Sequence, residues 1–237
     1  MDAFTILNGT FSIIYVFISI LVGGTMIAAY FKNKEKLLLL VGLTWIGLVM
    51  PWYPSSVSFI VALFNNGVGI SEIAYYLIGN VAAPIFILIW LMAFTEFFFI
   101  EKRKYILVGG LVYAILFEAI FLALLILNPS GISDFEPPIN VDYKGLYLIL
   151  ALSVIVIIST TGLYFSYRSI KTEKKKTRIK GYFLLAAFVS YTIGAILDAA
   201  IARDYLLLII ARIILITGAI EWYFGFIMPK FLQKRLE

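Results

Sequence analysis

The chain has 237 residues, of which 62% are hydrophobic and 14% are charged, and its formal net charge is +5. Because soluble domains carry about 25% charged residues, this composition excludes a soluble globular protein and predicts that nearly the whole chain lies in a membrane. The absence of cysteine and histidine excludes disulfides, thiolate metal sites and histidine-based acid–base catalysis. We therefore expect no metal, no cofactor and no enzymatic activity.

The chain contains seven apolar segments that can each cross the hydrocarbon core of a bilayer, which requires about 20 residues. The acidic N-terminus, MDAFTILNGT, lacks the positive region of a cleavable signal peptide, so we interpret the first segment as an uncleaved helix. The predicted spans are residues 10–31, 37–64, 73–100, 105–127, 144–167, 181–202 and 205–228. The sequence thus predicts an all-α, multi-pass protein with a single seven-helix transmembrane domain over residues 1–237.

Prolines interrupt the second and third predicted spans. Pro51 and Pro54 lie in the second span, within MPWYPSS, and Pro84 lies in the third. A proline removes a backbone donor and clashes with the preceding helical turn. We therefore expect kinks or breaks at these positions, which membrane proteins tolerate where the irregular backbone is buried in protein or lines a cavity.

The segments that connect the predicted spans alternate in charge. The segments 65–71 and 128–142 contain no lysine or arginine. Most of the 19 lysines and arginines lie instead in residues 32–36, 101–104, 168–180 and the tail 229–237. Because positively charged loops concentrate on the cytoplasmic side, we predict an outside N-terminus, an inside C-terminus and a location in the cell membrane.

Tyrosines lie near the predicted outer boundary of several spans. Tyrosine is enriched at membrane–water interfaces, where its ring and its hydroxyl meet different environments. We interpret this set as an interfacial belt, comprising Tyr75, Tyr76, Tyr143, Tyr147 and Tyr205.

Charged side chains also fall inside the predicted spans. They are Glu96, Glu118, Asp198, Arg212 and Glu221. Each costs about 2.5–3.5 kcal/mol at mid-bilayer, so an unpaired charge that faces lipid is unfavourable. Asp198 and Arg212 flank the short turn predicted at Arg203-Asp204, which places them at similar depths, about 8–12 Å below the outer surface. We therefore predict an ion pair between them.

A candidate site surrounds this ion pair. Asn80 and Glu118 are predicted at about the same depth, so the site comprises Asn80, Glu118, Asp198 and Arg212. Three interpretations stay open: a structural salt bridge, a ligand or ion site, and a proton relay.

A second pair of acidic residues is predicted nearer the cytoplasm. Glu221 follows Arg212 by nine residues, which places it on the opposite side of the same helix. We expect Glu221 and Glu96 within reach of basic side chains that extend inward, such as Arg178 or Lys180.

The predicted third span carries a family resemblance. Its sequence with the following loop, AAPIFILIWLMAFTEFFFIEKRK (82–104), has a proline followed by a Trp- and Phe-rich run and a basic exit. On Pro84, Trp90, Phe94 and this exit it resembles the seven-helix sensor region at the N-terminus of some histidine kinases. The layout of short-looped helices is similar over the whole chain, which also resembles uncharacterised seven-helix membrane proteins of archaea. The last span lacks the lysine that a retinal pigment requires.

This resemblance implies a receptor-like or sensory membrane protein with a polar cavity in its outer half. No kinase or cyclase domain follows Glu237, so we expect it to bind a small molecule from the outside and to act through a separate cytoplasmic partner at residues 168–180. Topology and anionic lipid headgroups alone would also account for that basic segment. The expected partners thus include membrane lipids but no nucleic acid.

Two other functions remain compatible with the sequence. The first is a small transporter, channel or lipid-handling protein that uses Glu118 and Asp198 as ion or proton sites and the broken second helix as a gate. The second is a scaffold or assembly subunit that binds no ligand.

Overall fold

The computed structural model of the protein describes residues 1–200, with the side chain of Ala200 excepted, and residues 204–228. Within this part of the chain, seven helical segments are long and apolar enough to cross a membrane. The predicted all-α membrane architecture is therefore confirmed. The residues of the predicted turn before Asp204 and the tail 229–237 lie outside the described residues.

Helices account for most of the described chain. Short 3₁₀ turns occur at Met50–Trp52 and Pro129–Gly131, and two strands, β1 (Ser133–Glu136) and β2 (Asn140–Tyr143), precede the seventh helix. The helices are α1 (Ala3–Asn33), α2 (Lys36–Leu48), α3 (Tyr53–Phe64), α4 (Glu72–Asn80), α5 (Ala83–Phe98), α6 (Arg103–Leu127), α7 (Gly145–Ile170), α8 (Lys175–Ala200) and α9 (Tyr205–Phe226).

The first and sixth spans begin earlier than their apolar stretches predict. The Asp2 carboxylate accepts a hydrogen bond from the Thr5 amide at 2.8 Å, which caps α1 and starts it at Ala3. Helix α8 begins at Lys175, within the basic segment. Adding turns to an existing helix costs little, so the apolar helix can extend at its N-terminal end into polar residues. These two helices therefore extend beyond the hydrocarbon.

The second and third spans are each divided where prolines occur. Helix α2 ends at Leu48, and the 3₁₀ turn that contains Pro51 separates it from α3, which has Pro54 in its first turn. Likewise α4 ends at Asn80, and α5 begins at Ala83 with Pro84 in its first turn. The backbone N–H groups in the first turn of a helix have no partner within that helix, so a proline there costs no intrahelical hydrogen bond. The second helix of each span can therefore begin at its proline.

The link predicted between the fourth and fifth spans folds into a β-hairpin over residues 133–143. Its strands are antiparallel, with Ser133 opposite Tyr143 and Glu136 opposite Asn140. The hairpin is fixed to the bundle because the Ser58 hydroxyl donates to the Pro138 carbonyl at 2.5 Å. We call this end of the molecule the hairpin end, and the opposite end, where α2, α6 and α8 begin, the basic end.

Large rings fill the half of the bundle nearer the basic end. This aromatic core consists of the buried residues Trp45, Trp90, Phe165, Phe188 and Trp222. The centroid of the Trp90 ring lies 5.3 Å from that of Phe188 and 5.9 Å from that of Trp222. The Trp90 indole also donates to the Thr161 hydroxyl at 2.7 Å, so the core joins α5 to α7, α8 and α9.

Candidate functional site

The structure contains an ion pair between Asp198 on α8 and Arg212 on α9. Nη2 of Arg212 lies 3.2 Å from Oδ1 of Asp198, and it also donates to Oδ1 of Asn8 on α1 at 2.8 Å. The second carboxylate oxygen, Oδ2, accepts a hydrogen bond from the Trp52 indole at 2.7 Å. The pair therefore connects α8 and α9 to α1 and to the break in the second span.

The proline-induced break explains how an indole reaches this pair. Pro51 lies in the 3₁₀ turn that ends at Trp52, and from this turn the Trp52 indole reaches the Asp198 carboxylate. The ring of Trp52 lies 5.9 Å from the Arg212 guanidinium carbon and packs edge-on against Tyr15 at a centroid distance of 5.0 Å. Trp52 thus contacts both charges, through its N–H on one side and its ring on the other.

The two charges of the pair are unequally buried. The side chain of Arg212 is 3% exposed, whereas that of Asp198 is 19% exposed. Nε and Nη1 of Arg212 have less than 1 Å² of accessible surface each and no hydrogen-bond partner in the described part of the chain. The carboxylate is therefore the member of the pair that a bound molecule could reach.

A cavity of about 180 Å³ lies beside this pair at the hairpin end. The helix breaks contribute Pro51, Trp52 and Asn80, and the hairpin contributes its second strand. The lining residues that carry polar groups or rings are Phe4, Asn8, Trp52, Ser55, Tyr75, Asn80, Phe117, Asn140, Asp142, Tyr143, Tyr147, Tyr191, Asp198 and Arg212. Aliphatic residues of α5, α7, α8, α9 and the hairpin complete the wall.

Hydrogen bonds between neighbouring elements hold the polar wall in place. The Asn80 amide donates to the Tyr76 carbonyl at 2.8 Å and accepts from the Tyr147 phenol. The Tyr75 phenol shares a hydrogen bond with the Ser55 hydroxyl at 2.5 Å and donates to the Ile139 carbonyl at 3.1 Å. These hydrogen bonds link α3, α4, α7 and the hairpin, so they fix the positions of the polar side chains that line the cavity.

The hairpin forms the side of the cavity that faces away from the aromatic core. Asn8 donates to Oδ1 of Asn140 at 3.3 Å, and Asn140 in turn donates to the Thr5 hydroxyl at 3.3 Å. Burial raises the pKa of Tyr143 from its usual value near 10 to about 12, so its phenol is even further from ionising at physiological pH than an ordinary tyrosine. Asp142 lines the cavity with an exposed carboxylate that has no partner among the described residues.

Three of the four residues predicted for the site lie together around the cavity: Asn80, Asp198 and Arg212. Glu118 does not line it, because on α6 the neighbouring Phe117 takes the inward position. Oε2 of Glu118 is buried and has no hydrogen-bond partner among the described residues. The expectation that Glu118 joins Arg212 is therefore wrong.

The acidic residues nearer the basic end differ from expectation as well. Glu221 accepts a hydrogen bond from the Ser190 hydroxyl of α8 at 2.8 Å. Lys180 donates to the Phe226 carbonyl at 2.6 Å instead of reaching an acidic side chain. Oε2 of Glu96 is buried and has no partner within the described chain. Glu221 thus satisfies its carboxylate locally, by a helix–helix hydrogen bond.

Most of the cavity rings were not predicted as site residues. Tyr75 and Tyr147 are each 2% exposed and Tyr76 is fully buried, so these three are core residues that do not reach the protein surface, whereas Tyr205 is exposed. Hairpin residues pack against all three rings, and the hairpin supplies hydrogen-bond partners to Tyr75 and Tyr76, whereas Tyr147 bonds to Asn80 of α4. The signal that could have revealed the hairpin is the Pro137-Pro138 pair between two short polar–apolar alternations.

A second cavity, of about 330 Å³, lies at the basic end. Its lining includes Glu35, Phe97, Arg168, Lys180 and Phe226. It therefore combines basic side chains with rings, beside the segment that precedes α8.

The fold and the buried site define a seven-helix integral membrane protein with a polar cavity at one end. In the described residues no cluster of acidic side chains could hold a metal ion. Comparisons with protein-family models, with curated proteins and with solved structures find no match to this chain. The function is therefore argued from the site itself.

Proposed function

We propose that the protein is a receptor-like, sensory membrane protein that binds a small molecule in the cavity at its hairpin end and signals through a separate partner at its basic end. The observation that supports this proposal is the cavity of about 180 Å³ beside the Asp198–Arg212 pair. Charged residues inside a membrane usually mark functional sites, and a polar cavity beside such a pair suits a ligand. On this proposal the protein binds its ligand without converting it.

In this proposal the hairpin end faces the outside of the cell and the basic end faces the cytoplasm. The support is the concentration of lysine and arginine in the segments of the basic end. The sensor region of histidine kinases, which the third span resembles, would likewise receive its stimulus outside the cell and pass the signal to the cytoplasmic side.

The orientation can be tested with single cysteines, because the chain contains none of its own. Ser130→Cys places a thiol beside the hairpin, and Lys174→Cys places one in the basic segment; both positions are exposed. A membrane-impermeant thiol reagent applied to intact cells should label the first variant and not the second. The opposite pattern would overturn the orientation.

Helices α8 and α9 give a physical route between the two ends. Asp198 and Arg212 join these helices near the hairpin end, whereas α8 begins at Lys175 and α9 ends at Phe226, beside the second cavity. A ligand that draws the Asp198 carboxylate away from Arg212 would change how α8 and α9 pack. For this coupling to carry a signal, the bundle must adopt two conformations in which α8 and α9 pack differently, and the ligand must bind one of them with higher affinity.

The coupling can be tested before the ligand is known. Spin labels at Lys102→Cys and Lys174→Cys report the distance between two exposed segments of the basic end. Asp198→Asn should change that distance distribution in lipid nanodiscs, because it removes the charge that Arg212 pairs with. Asp134→Asn, which removes a carboxylate on the hairpin outside the cavity, is the matched control and should leave it unchanged. An unchanged distribution in Asp198→Asn, with helicity retained, would contradict the proposal.

One observation favours a transporter or channel as a second candidate. Glu118 has a buried carboxylate oxygen without a partner among the described residues, which suits a group that takes up and releases protons. In this alternative, Glu118 and Asp198 would carry ions past the broken second span. Reconstituted protein should then show a pH-dependent flux that Glu118→Gln and Asp198→Asn abolish. A receptor should show no such flux.

A further inference from the structure

The charges around the cavity at the hairpin end do not cancel. Among the described residues, the charged side chains that line it are Asp142, Asp198 and Arg212, whose formal charges sum to −1. A bound anion would increase this uncompensated charge, whereas a bound monovalent cation would neutralise it. Asp198 and Arg212 pair with each other, so the excess charge belongs to the exposed carboxylate of Asp142, which attracts a cation to the cavity and repels an anion.

The hydrogen-bonding capacity of the wall favours the same kind of ligand. Its strongest donors are engaged or hidden: Nη2 of Arg212 bonds to Asp198 and Asn8, and the other N–H groups of Arg212 have almost no accessible surface. The Trp52 indole is bonded to Asp198. Acceptor capacity remains, because a carboxylate can accept about four hydrogen bonds, and Asp198 accepts one from Trp52 besides its ion-pair contact with Arg212. Asp142 shows none with the described residues.

Aromatic rings complete the lining. The faces of tyrosine, tryptophan and phenylalanine attract cations, and this attraction strengthens when water is excluded. The rings around the cavity are Phe4, Trp52, Tyr75, Phe117, Tyr143, Tyr147 and Tyr191. An ammonium group beside Asp198 or Asp142 would therefore lie near both aromatic rings and carboxylates.

The size and the apolar part of the wall limit the rest of the ligand. The cavity of about 180 Å³ is smaller than the roughly 300–1,000 Å³ of sites for drug-sized molecules. Ala83, Val154, Ile155 and Leu208 supply an aliphatic surface. A short apolar or aromatic body thus fits better than a sugar or a nucleotide.

We infer that the ligand of this cavity is a small organic ammonium ion with an apolar body. The ammonium group binds between the carboxylates of Asp198 and Asp142, and the body lies against the aliphatic wall. Arg212 is a positioning residue: it pairs with Asp198, and its Nε and Nη1 groups have almost no accessible surface to offer the ligand. This inference rests on the proposed function, since it specifies the ligand of the same cavity.

The test compares three probes of nearly equal shape on the full chain in lipid nanodiscs by isothermal titration calorimetry. Phenethylamine is the cation, 2-phenylethanol its neutral analogue and 3-phenylpropanoate its anionic analogue. We expect phenethylamine to bind at least tenfold more tightly than the alcohol, and the carboxylate not to bind measurably. Equal or tighter binding of the alcohol or the carboxylate would overturn the inference, as would a failure of the amine to bind.

Variants then locate the binding. Asp142→Asn alters an exposed carboxylate with no partner in the described chain, so the fold should survive, and we expect it to weaken amine binding at least tenfold. Asp134→Asn is the matched control, because Asp134 lies opposite Asp142 in the hairpin but does not line the cavity. Equal losses in both variants would show a general effect of surface charge and would overturn the assignment.

These experiments separate the inference from the proposed function. A cavity that binds the alcohol or the carboxylate in preference to the amine still belongs to a receptor, with a different ligand class. Binding of the amine without any change between the spin labels at the basic end contradicts the sensory function and leaves the ligand class standing.

Discussion

The two halves of the bundle solve the same packing problem in different ways. Toward the basic end, the rings of Trp90, Phe188 and Trp222 fill the space between helices. Toward the hairpin end, side-chain hydrogen bonds around Asp198 and Asn80 join the elements that surround a cavity. Association of helices in a membrane depends on close packing and interhelical hydrogen bonds, because lipid chains are as apolar as the side chains. Close packing dominates in the half nearer the basic end, and hydrogen bonds dominate in the half nearer the hairpin end.

This difference separates a region held by close packing from a region held by hydrogen bonds and charge. A filled aromatic half needs no polar residue to be stable, so its polar atoms can be few. The hollow half, which contains the cavity and the ion pair, loses van der Waals contacts around the empty space, which lowers its stability. A region with only a structural role would be expected to fill that space. The comparison predicts that substitutions in the hollow half act through charge and hydrogen bonding, whereas those in the filled half act through volume.

The largest effect is expected where a charge loses its partner in the hollow half. Arg212→Met leaves the Asp198 carboxylate with the Trp52 indole alone, and breaking a buried pair in this way costs about 3–5 kcal/mol. Adding Asp198→Asn removes the unpaired charge and keeps an acceptor for the indole. The double variant should therefore be more stable than Arg212→Met, as measured by reversible unfolding in mixed micelles.

The four proteins of this cycle give the coupling free energy directly. If the destabilisations of Arg212→Met and Asp198→Asn simply add in the double variant, the two side chains do not depend on each other. That result would contradict the central role given to the pair in holding α8 and α9.

A smaller effect is expected where a methyl group is added to the filled half. A Cβ atom at Gly162 of α7 would lie 2.2 Å from the ring of Phe188, and that ring is held by Trp90 and Trp222. Gly162→Ala should cost about 1–3 kcal/mol through overpacking. A Cβ at Gly109 of α6 meets nothing within 4 Å, so Gly109→Ala should be neutral or stabilising by up to about 1 kcal/mol. Equal stability of the two variants would show that the core is not tightly packed around Phe188.

The sequence predicted the architecture because the bilayer imposes a simple rule. Every backbone polar group in hydrocarbon must be bonded internally, so long apolar segments form helices whatever their neighbours are. Pro51 and Pro84 also coincide with the observed breaks, since their effect on a helix is local. The pairing of Asp198 with Arg212 followed from their depth and a short connection, which again is a local argument.

The cavity itself depended on information that is not local. Phe117 and Glu118 are adjacent on α6, and only the packing of that helix decides which of them faces inward. The burial of Tyr75 and Tyr147 was not predicted, because it depends on the hairpin over residues 133–143 that packs against them. Hydrophobicity gives the depth of a residue, but the direction in which it points requires the arrangement of the neighbouring helices.

The smallest effect is expected for the ion pair that lies in water. Lys144 pairs with Asp134 on the hairpin, and both side chains are exposed. Exposed pairs contribute about 0.2–1 kcal/mol and weaken as salt rises, so Lys144→Ala should lower the free energy of unfolding by that amount at low ionic strength and by less at high salt. Lys104→Ala, at an exposed position of the basic end, serves as the control for a lost positive charge. A loss for Lys144→Ala as large as that for Arg212→Met would mean that the hairpin pair is structural, and that charge acts alike at the surface and beside the cavity.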